Sequence, residues 1–194
     1  MKVAVLYCGT SHLKPLMDRC IFSGVSPVVM ESNTSLKSIA SLGGVGGIII
    51  SGSSSSVLEF NCPTVDPEIY HCGIPVLGIC YGMQRMAKDL GGDVVRFPAQ
   101  EKGFVLMKLG EPSVLYSGFT EKGVDVWMSH SCQVRTPPPG FIKTGETKGT
   151  FFASFEREHL FGVQFHPEQV NSGSGKQIVQ NFFYGVCKPW LESR

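Results

Sequence analysis

The chain opens on an apolar run at residues 3–7, Val-Ala-Val-Leu-Tyr, followed at once by Cys-Gly-Thr-Ser. That pattern predicts a strand buried on both faces that ends in a loop. Apolar positions then recur at helical spacing through Leu16, Cys20 and Ile21 and stop near Gly24. A short run at 27–30 predicts a second strand, 36–42 a short helix, and Gly-Ile-Ile-Ile-Ser at 47–51 a third strand. A serine-rich loop and a helix near 66–71 lead to a fourth strand at 75–79. A helix with apolar positions at Met83, Met86, Ala87 and Leu90 follows it. Doubly apolar strands alternating with helices predict a mainly parallel sheet covered on both sides, a three-layer α/β/α arrangement.

After Gly91-Gly92 the pattern changes. Short runs at 94–97, 104–109, 124–128, 141–144, 151–155 and 160–165, separated by Gly/Pro turns, predict antiparallel strands. They form a small antiparallel extension of the sheet or a side sheet beside it. Residues 137–140, Pro-Pro-Pro-Gly, are a stiff loop and not a linker, because apolar periodicity resumes at once. A last helix is expected over about 175–186, with Ile178, Val179, Phe182 and Phe183 on one face. The expectation is a single domain over 1–190 and a tail at 191–194.

Composition narrows the function classes. A formal charge of +1 with 17% charged residues, dispersed along the chain, gives no basic stripe for nucleic acid and no acidic tail. Seven cysteines, at 8, 20, 62, 72, 80, 132 and 187, are an odd number without paired Cys-x-x-Cys spacing. This argues against a disulfide framework and a structural zinc site, and suggests reduced thiols. No apolar run approaches the roughly 18 residues of a membrane span, and the first residues do not read as a secretion signal. The cytoplasm is the expected compartment, with neither nucleic acid nor membrane as a partner.

The chemistry concentrates at two places. At 75–80 the strand stops abruptly at Cys80, and helical spacing starts with Tyr81. Gly78 and Gly82 bracket the cysteine, as a sharp strand-to-helix turn requires when the two backbones crowd together and one side chain is thrust outward. A sulfur there faces the free N–H groups of a helix start, which stabilise negative charge. A cysteine so placed can also simply pack between sheet and helix. At 160–168 a strand delivers Phe165, His166, Pro167 and Glu168. In extended backbone, residues two apart share a side, which puts the imidazole beside the carboxylate. A carboxylate so placed selects the imidazole tautomer and raises its basicity. Together the two places read as nucleophile Cys80, base and acid His166, and orienter Glu168.

GICYGMQ (78–84) together with GVQFHPE (162–168) resembles the class I (triad) glutamine amidotransferases, over nearly the whole chain. Within them it is most similar to the amidotransferase part of GMP synthases. That closer likeness is carried by IISGxxxSV (49–57), DPEI (66–69), the Tyr-Gly-Met after Cys80, VWMSH (126–130), PGF (139–141) and GKxIxxNF (175–182). The resemblance implies a class I amidotransferase-like, flavodoxin-like fold and hydrolysis of L-glutamine to glutamate and ammonia through a Cys80 thioester. The ammonia would pass to an ATP-pyrophosphatase (GMP synthetase) module that aminates xanthosine monophosphate. ATP and Mg²⁺ belong to that module, since this chain has no SGGVDS-like loop, and no cofactor or metal is implied for the chain itself. Whether the module is a separate subunit or a missing domain stays open.

The resemblance also places an oxyanion hole at the amides of Tyr81 and Ser53, and glutamine contacts at Gln84, Ser129, His130 and Ser131. Several positions depart from the family pattern. Ser53 and Ser54 stand for Gly and Pro in the usual SGGPxSV, Cys132 for an aspartate, Gln169 for a valine, and Tyr7-Cys8 for Asp-Phe. A glycine at 53 using positive φ would leave serine strained. His12, His71 and His159 read as surface or structural. The departures keep two alternatives in play: a regulatory pseudoenzyme with a closed site, and a free-standing Cys-His-Glu amide hydrolase.

Overall fold

The computed structural model describes residues 1–120, 123–169 and 173–194. One nine-stranded sheet has the spatial order β2-β1-β3-β4-β9-β8-β7-β5-β6. Its first five strands are β2 (Ser26–Glu31), β1 (Lys2–Tyr7), β3 (Val45–Ile50), β4 (Val76–Ile79) and β9 (Leu160–Val163), paired parallel throughout. This 2-1-3-4-then-last order is the flavodoxin-like arrangement, in which ligands bind beyond the carboxyl ends of the strands. The other four are β8 (Ser154–Arg157), β7 (Ile142–Glu146), β5 (Asp93–Leu109) and β6 (Val124–Thr136), paired antiparallel as an extension of the same sheet.

The doubly apolar strands segregate the core into two halves, one per face. Val3, Val5, Ile49, Leu77 and Val163 point to α1 (Leu13–Phe22) and α4 (Gly173–Asn181). Ala4, Leu6, Ile48, Ile50 and Val76 point to α2 (Leu36–Ala40) and α3 (Tyr81–Asp89). That alternation is the period-2 consequence of the strand backbone, and it confirms the three layers.

Several expectations need correcting in detail. The runs at 94–97 and 104–109 belong to one 17-residue strand, β5, whose register with β6 shifts between Arg96 and Glu101. Gln100 adopts a positive φ of 44° inside that bulge. The helix near 66–71 is a single 3₁₀ turn, Pro67–Tyr70, started by Asp66, whose carboxylate accepts from the Glu68 amide. The last helix does not stop at Val186. It passes through a π turn at Phe182–Cys187 into α5 (Lys188–Glu192), two residues into the expected tail. All seven cysteines are unpaired, and no helix among the described residues is long and apolar enough to cross a membrane.

Candidate active site

α3 crosses the ends of β3 and β4 on a floor of glycines. A Cβ on Gly82 would overlap the Ile50 carbonyl, and one on Gly78 would sit 2.7 Å from the backbone of Gly82 and Met83. Only bare backbone lets the helix start this close to the sheet, and the turn between them holds Cys80 at φ 51°, ψ −102°. A non-glycine residue with positive φ is uncommon and persists where its surroundings over-determine it. Here the Cys80 amide donates to Val163 O at 2.7 Å and the Cys80 carbonyl accepts from the Gln84 amide. The result is a sulfur presented at the carboxyl edge of the sheet, with the unpaired amides of the first turn of α3 beside it.

β9, the neighbour of β4, brings His166 to the same edge of the sheet. The strand ends at Val163, and residues 166–169 form a turn closed by the Gln169 amide on His166 O. The expected pairing of His166 with Glu168 therefore comes from a turn and not from extended backbone. His166 Nδ1 donates to Glu168 Oε1 at 2.7 Å, and both side chains are buried. The other ring nitrogen is left for Cys80. Burial alone would lower the His166 pKa, but the charges and hydrogen bonds of Cys80 and Glu168 outweigh it and hold the imidazole well above the ordinary histidine value. A folded-state pKa above that of the unfolded chain stabilises fully below about pH 6.5, and the gain is lost as pH rises through the folded value. The unfolding midpoint should accordingly fall on the alkaline side, and fall less in His166→Gln, as measured by thermal melts across pH.

Loops after β1 and β3 close the site from the other side. The position of a Cβ on Gly52 lies 3.2 Å from His166 Cε1 and 3.9 Å from Cys80 Cβ, so the 51–53 segment passes directly over the pair. Among the described residues only Cys80, Gln100 and Glu158 combine positive φ with a side chain. Ser53 is thus unstrained, and its hydroxyl accepts from the Ser55 amide at 3.1 Å to fix the loop. Cys132, which replaces the family's aspartate, lies 3.3 Å from Ser56 Oγ.

Ser53, Cys80, Tyr81, Gln84, His166 and the strand segment 129–132 line one cleft of about 420 Å³, within the range of small-molecule sites. Not every expected contact is free to meet a ligand. Gln84 Nε2 donates to Cys132 O at 2.8 Å and to Gln164 Oε1 at 3.1 Å, both inside the protein. His130 is buried, with Nδ1 on Cys132 O and Nε2 on Thr150 Oγ1. It acts on the cleft through the backbone that it holds.

Two site residues escaped the sequence reading. Gln164, fully buried, donates to Cys80 Sγ at 3.5 Å and links the nucleophile to Gln84; its only signal was a polar residue in an otherwise apolar strand. His12, read as surface or structural, is partly exposed and reaches the site: its Nδ1 lies 3.8 Å from Glu168 Oε1 and its ring packs edge-on against His166. His12, His166 and Glu168 also place three possible ligand atoms within 4.8 Å, a cluster that sequence spacing could not reveal because 154 residues of chain separate its first two members.

Residues 4–186 match the family model for the class-I glutamine amidotransferases. Among curated proteins, the GMP synthase [glutamine-hydrolyzing] of Carboxydothermus hydrogenoformans is 40% identical over 96% of this chain and 36% of its own length. That of Prochlorococcus marinus subsp. pastoris is 39% identical over 96% of this chain and 35% of its own. The chain thus spans about a third of the length of the curated relatives it matches. A candidate GMP synthase subunit of Thermoplasma acidophilum superposes with a TM-score of 0.83 at 22% identity, covering 100% of this chain and 96% of that one. A glutamine amidotransferase of Thermotoga maritima gives 0.72 at 18%, covering 100% and 89%. These two likenesses speak to the fold alone. Fold, family match and curated relatives agree: the chain belongs to the class I glutamine amidotransferases.

Proposed function

We propose that the chain is the glutaminase part of a GMP synthase. The observation that carries this reading is the convergence of Cys80, His166 and Glu168, from two neighbouring strands, at one cleft of amino-acid size. Cys80 Sγ attacks the side-chain amide carbon of L-glutamine, and the oxyanion that forms is met by the amides of Tyr81 and Ser53. His166 gives its proton to the departing nitrogen, which leaves as ammonia, and a γ-glutamyl thioester remains on Cys80. Water, deprotonated by His166, then opens the thioester to glutamate. Glu168 holds the imidazole throughout. Gln84 and the backbone of residues 129–131, held in place by His130, receive the amino and carboxylate groups of the substrate.

These steps use only the chain's own side chains and water. The ammonia goes to a separate ATP-pyrophosphatase module, which supplies ATP and Mg²⁺ and converts xanthosine monophosphate to GMP. We place the work in the cytoplasm, where seven unpaired thiols are compatible with the reducing environment. The unstrained Ser53 and the open cleft favour an enzyme over a pseudoenzyme with a closed site.

The test is glutamate release by the chain alone and after mixing with the synthetase module of a GMP synthase, ATP-Mg²⁺ and xanthosine monophosphate. Slow hydrolysis alone, rising roughly tenfold or more in the full mixture, is the expected result, of the size an allosteric coupling supplies. No glutamate under either condition would overturn the reading.

A further inference from the structure

Along one wall of the cleft, which Glu101 and His130 help to line, runs a polar cluster to which the proposed chemistry gives no direct step. Glu101, on β5, accepts from Thr147 Oγ1 at 2.8 Å and from Thr150 Oγ1 at 2.7 Å. Thr150 Oγ1 also lies 3.2 Å from His130 Nε2, while His130 Nδ1 lies 2.9 Å from the carbonyl oxygen of Cys132. The same carbonyl accepts from Gln84. The loop 147–150 is closed on itself by the Thr150 amide donating to Thr147 Oγ1. It fits tightly, since a Cβ on Gly149 would lie 3.0 Å from Glu101 Oε1. Phe97 stacks on the His130 ring at 5.8 Å and 16°.

Counting protons in this cluster gives a definite answer. The Cys132 carbonyl can only accept, so Nδ1 carries a hydrogen. Two further contacts, Nε2 to Thr150 and Thr150 to Glu101, each need one hydrogen, and the Thr150 hydroxyl has only one to give. The second must come from His130 as Nε2–H or from Glu101 as a carboxylic acid. A neutral imidazole beside an ionised carboxylate leaves one contact without its hydrogen.

We propose that Glu101 is a positioning residue for glutamine: with His130 it holds one shared proton that fixes the 129–132 segment along the cleft. This rests on the reading of that segment as the glutamine-binding wall. The charged and titratable groups facing His130 are Glu101, 3.5 Å from Nε2, and, at longer range across the site, His166. Burial outweighs the pull of the Cys132 carbonyl and Glu101 and makes His130 release its proton more readily than a free imidazole. The cluster therefore loosens as pH rises through a region below the ordinary histidine value.

Glu101→Gln tests this because an amide supplies the missing hydrogen without a titrating proton. Its Nε2–H₂ donates to Thr150 Oγ1, the Thr150 hydroxyl turns to His130 Nε2, and its Oε1 still accepts from Thr147. In the chain assembled with its synthetase module, the glutamine KM of the wild type should rise severalfold with pH across that region. Glu101→Gln should match the low-pH KM within about twofold and lose the pH dependence. Glu101→Leu should raise KM about tenfold at every pH, with kcat changed far less. Nitrogen-15 NMR of the histidine rings gives a readout independent of activity: the His130 titration seen in the wild type should vanish in Glu101→Gln, leaving the neutral Nδ1–H form. An unchanged His130 titration in Glu101→Gln would overturn the shared proton. A vanished titration with a KM that keeps its pH dependence would overturn the positioning role and leave the hydrogen-bond cluster standing. Absence of any glutamine turnover in the wild type would instead count against the function proposed above.

Discussion

Cys80→Ala should abolish glutamine hydrolysis, a loss of about 10⁴-fold or more, because both halves of the reaction depend on a thioester at the sulfur beside His166, and the other thiol lining the cleft, Cys132, lies against Ser56 Oγ instead. The variant keeps the fold, since alanine tolerates the elbow about as well as cysteine does and removes only the sulfur. A glutamine-mimicking diazo ketone provides the companion measurement. It should add once to the wild type, at Cys80, and not at all to the variant, as read by intact mass and peptide mapping. Selectivity among seven cysteines has a physical cause. Burial pushes Cys8 and Cys20 up to about 12 and Cys187 higher still, so these remain unreactive thiols at neutral pH. Cys80 instead lines the cleft beside His166, whose imidazole is held well above the ordinary histidine value. Full activity in Cys80→Ala would end the triad assignment.

Gly82→Ala should cost at least ~3 kcal/mol of stability, the upper end for overpacking, and lower the melting temperature by roughly 6–12 °C. The added methyl would meet the Ile50 carbonyl and Ile50 Cβ. A side chain in its way could change rotamer, but main chain in the middle of a parallel sheet cannot move without disturbing β1 and β4 on either side. Lifting α3 to make room would also carry Cys80 away from His166, so activity should fall together with stability. Gly173→Ala is the control. That glycine starts α4 with nothing within 4 Å of its would-be Cβ, and its melting temperature should stay within about 2 °C of the wild type. Equal melting temperatures for both variants would show that α3 is not held against the sheet by backbone contact.

What the sequence made legible was whatever is written locally. Buried parallel strands announce themselves as continuous apolar runs, and the glycines flanking Cys80 announce a crossing of two backbones. His166 and Glu168, two residues apart, were a pair on any backbone that did not separate them, which is why the pairing survived although a turn and not a strand produces it. Contacts made across the sheet left no such trace. Nothing near residue 12 says that its ring will lie against that of residue 166, and nothing near Gln164 says that its amide will touch a sulfur 84 residues back. His130 lines the cleft, yet both of its ring nitrogens are taken by Cys132 O and Thr150 Oγ1, pairings that nothing in the local sequence announces. The bulge in β5 broke the alternation at 97–100 and made one strand look like two.

The spatial neighbour of β4 is β9, although some 80 residues of chain are made between them. A nascent polypeptide emerging from the ribosome, amino end first, therefore carries its reactive thiol long before the histidine that completes the machinery has been synthesised. Until the ninth strand slots in beside the fourth, the outer antiparallel strands have no partner through which to join the parallel half. Catalytic competence and closure of the sheet are thus one late event in the life of the molecule.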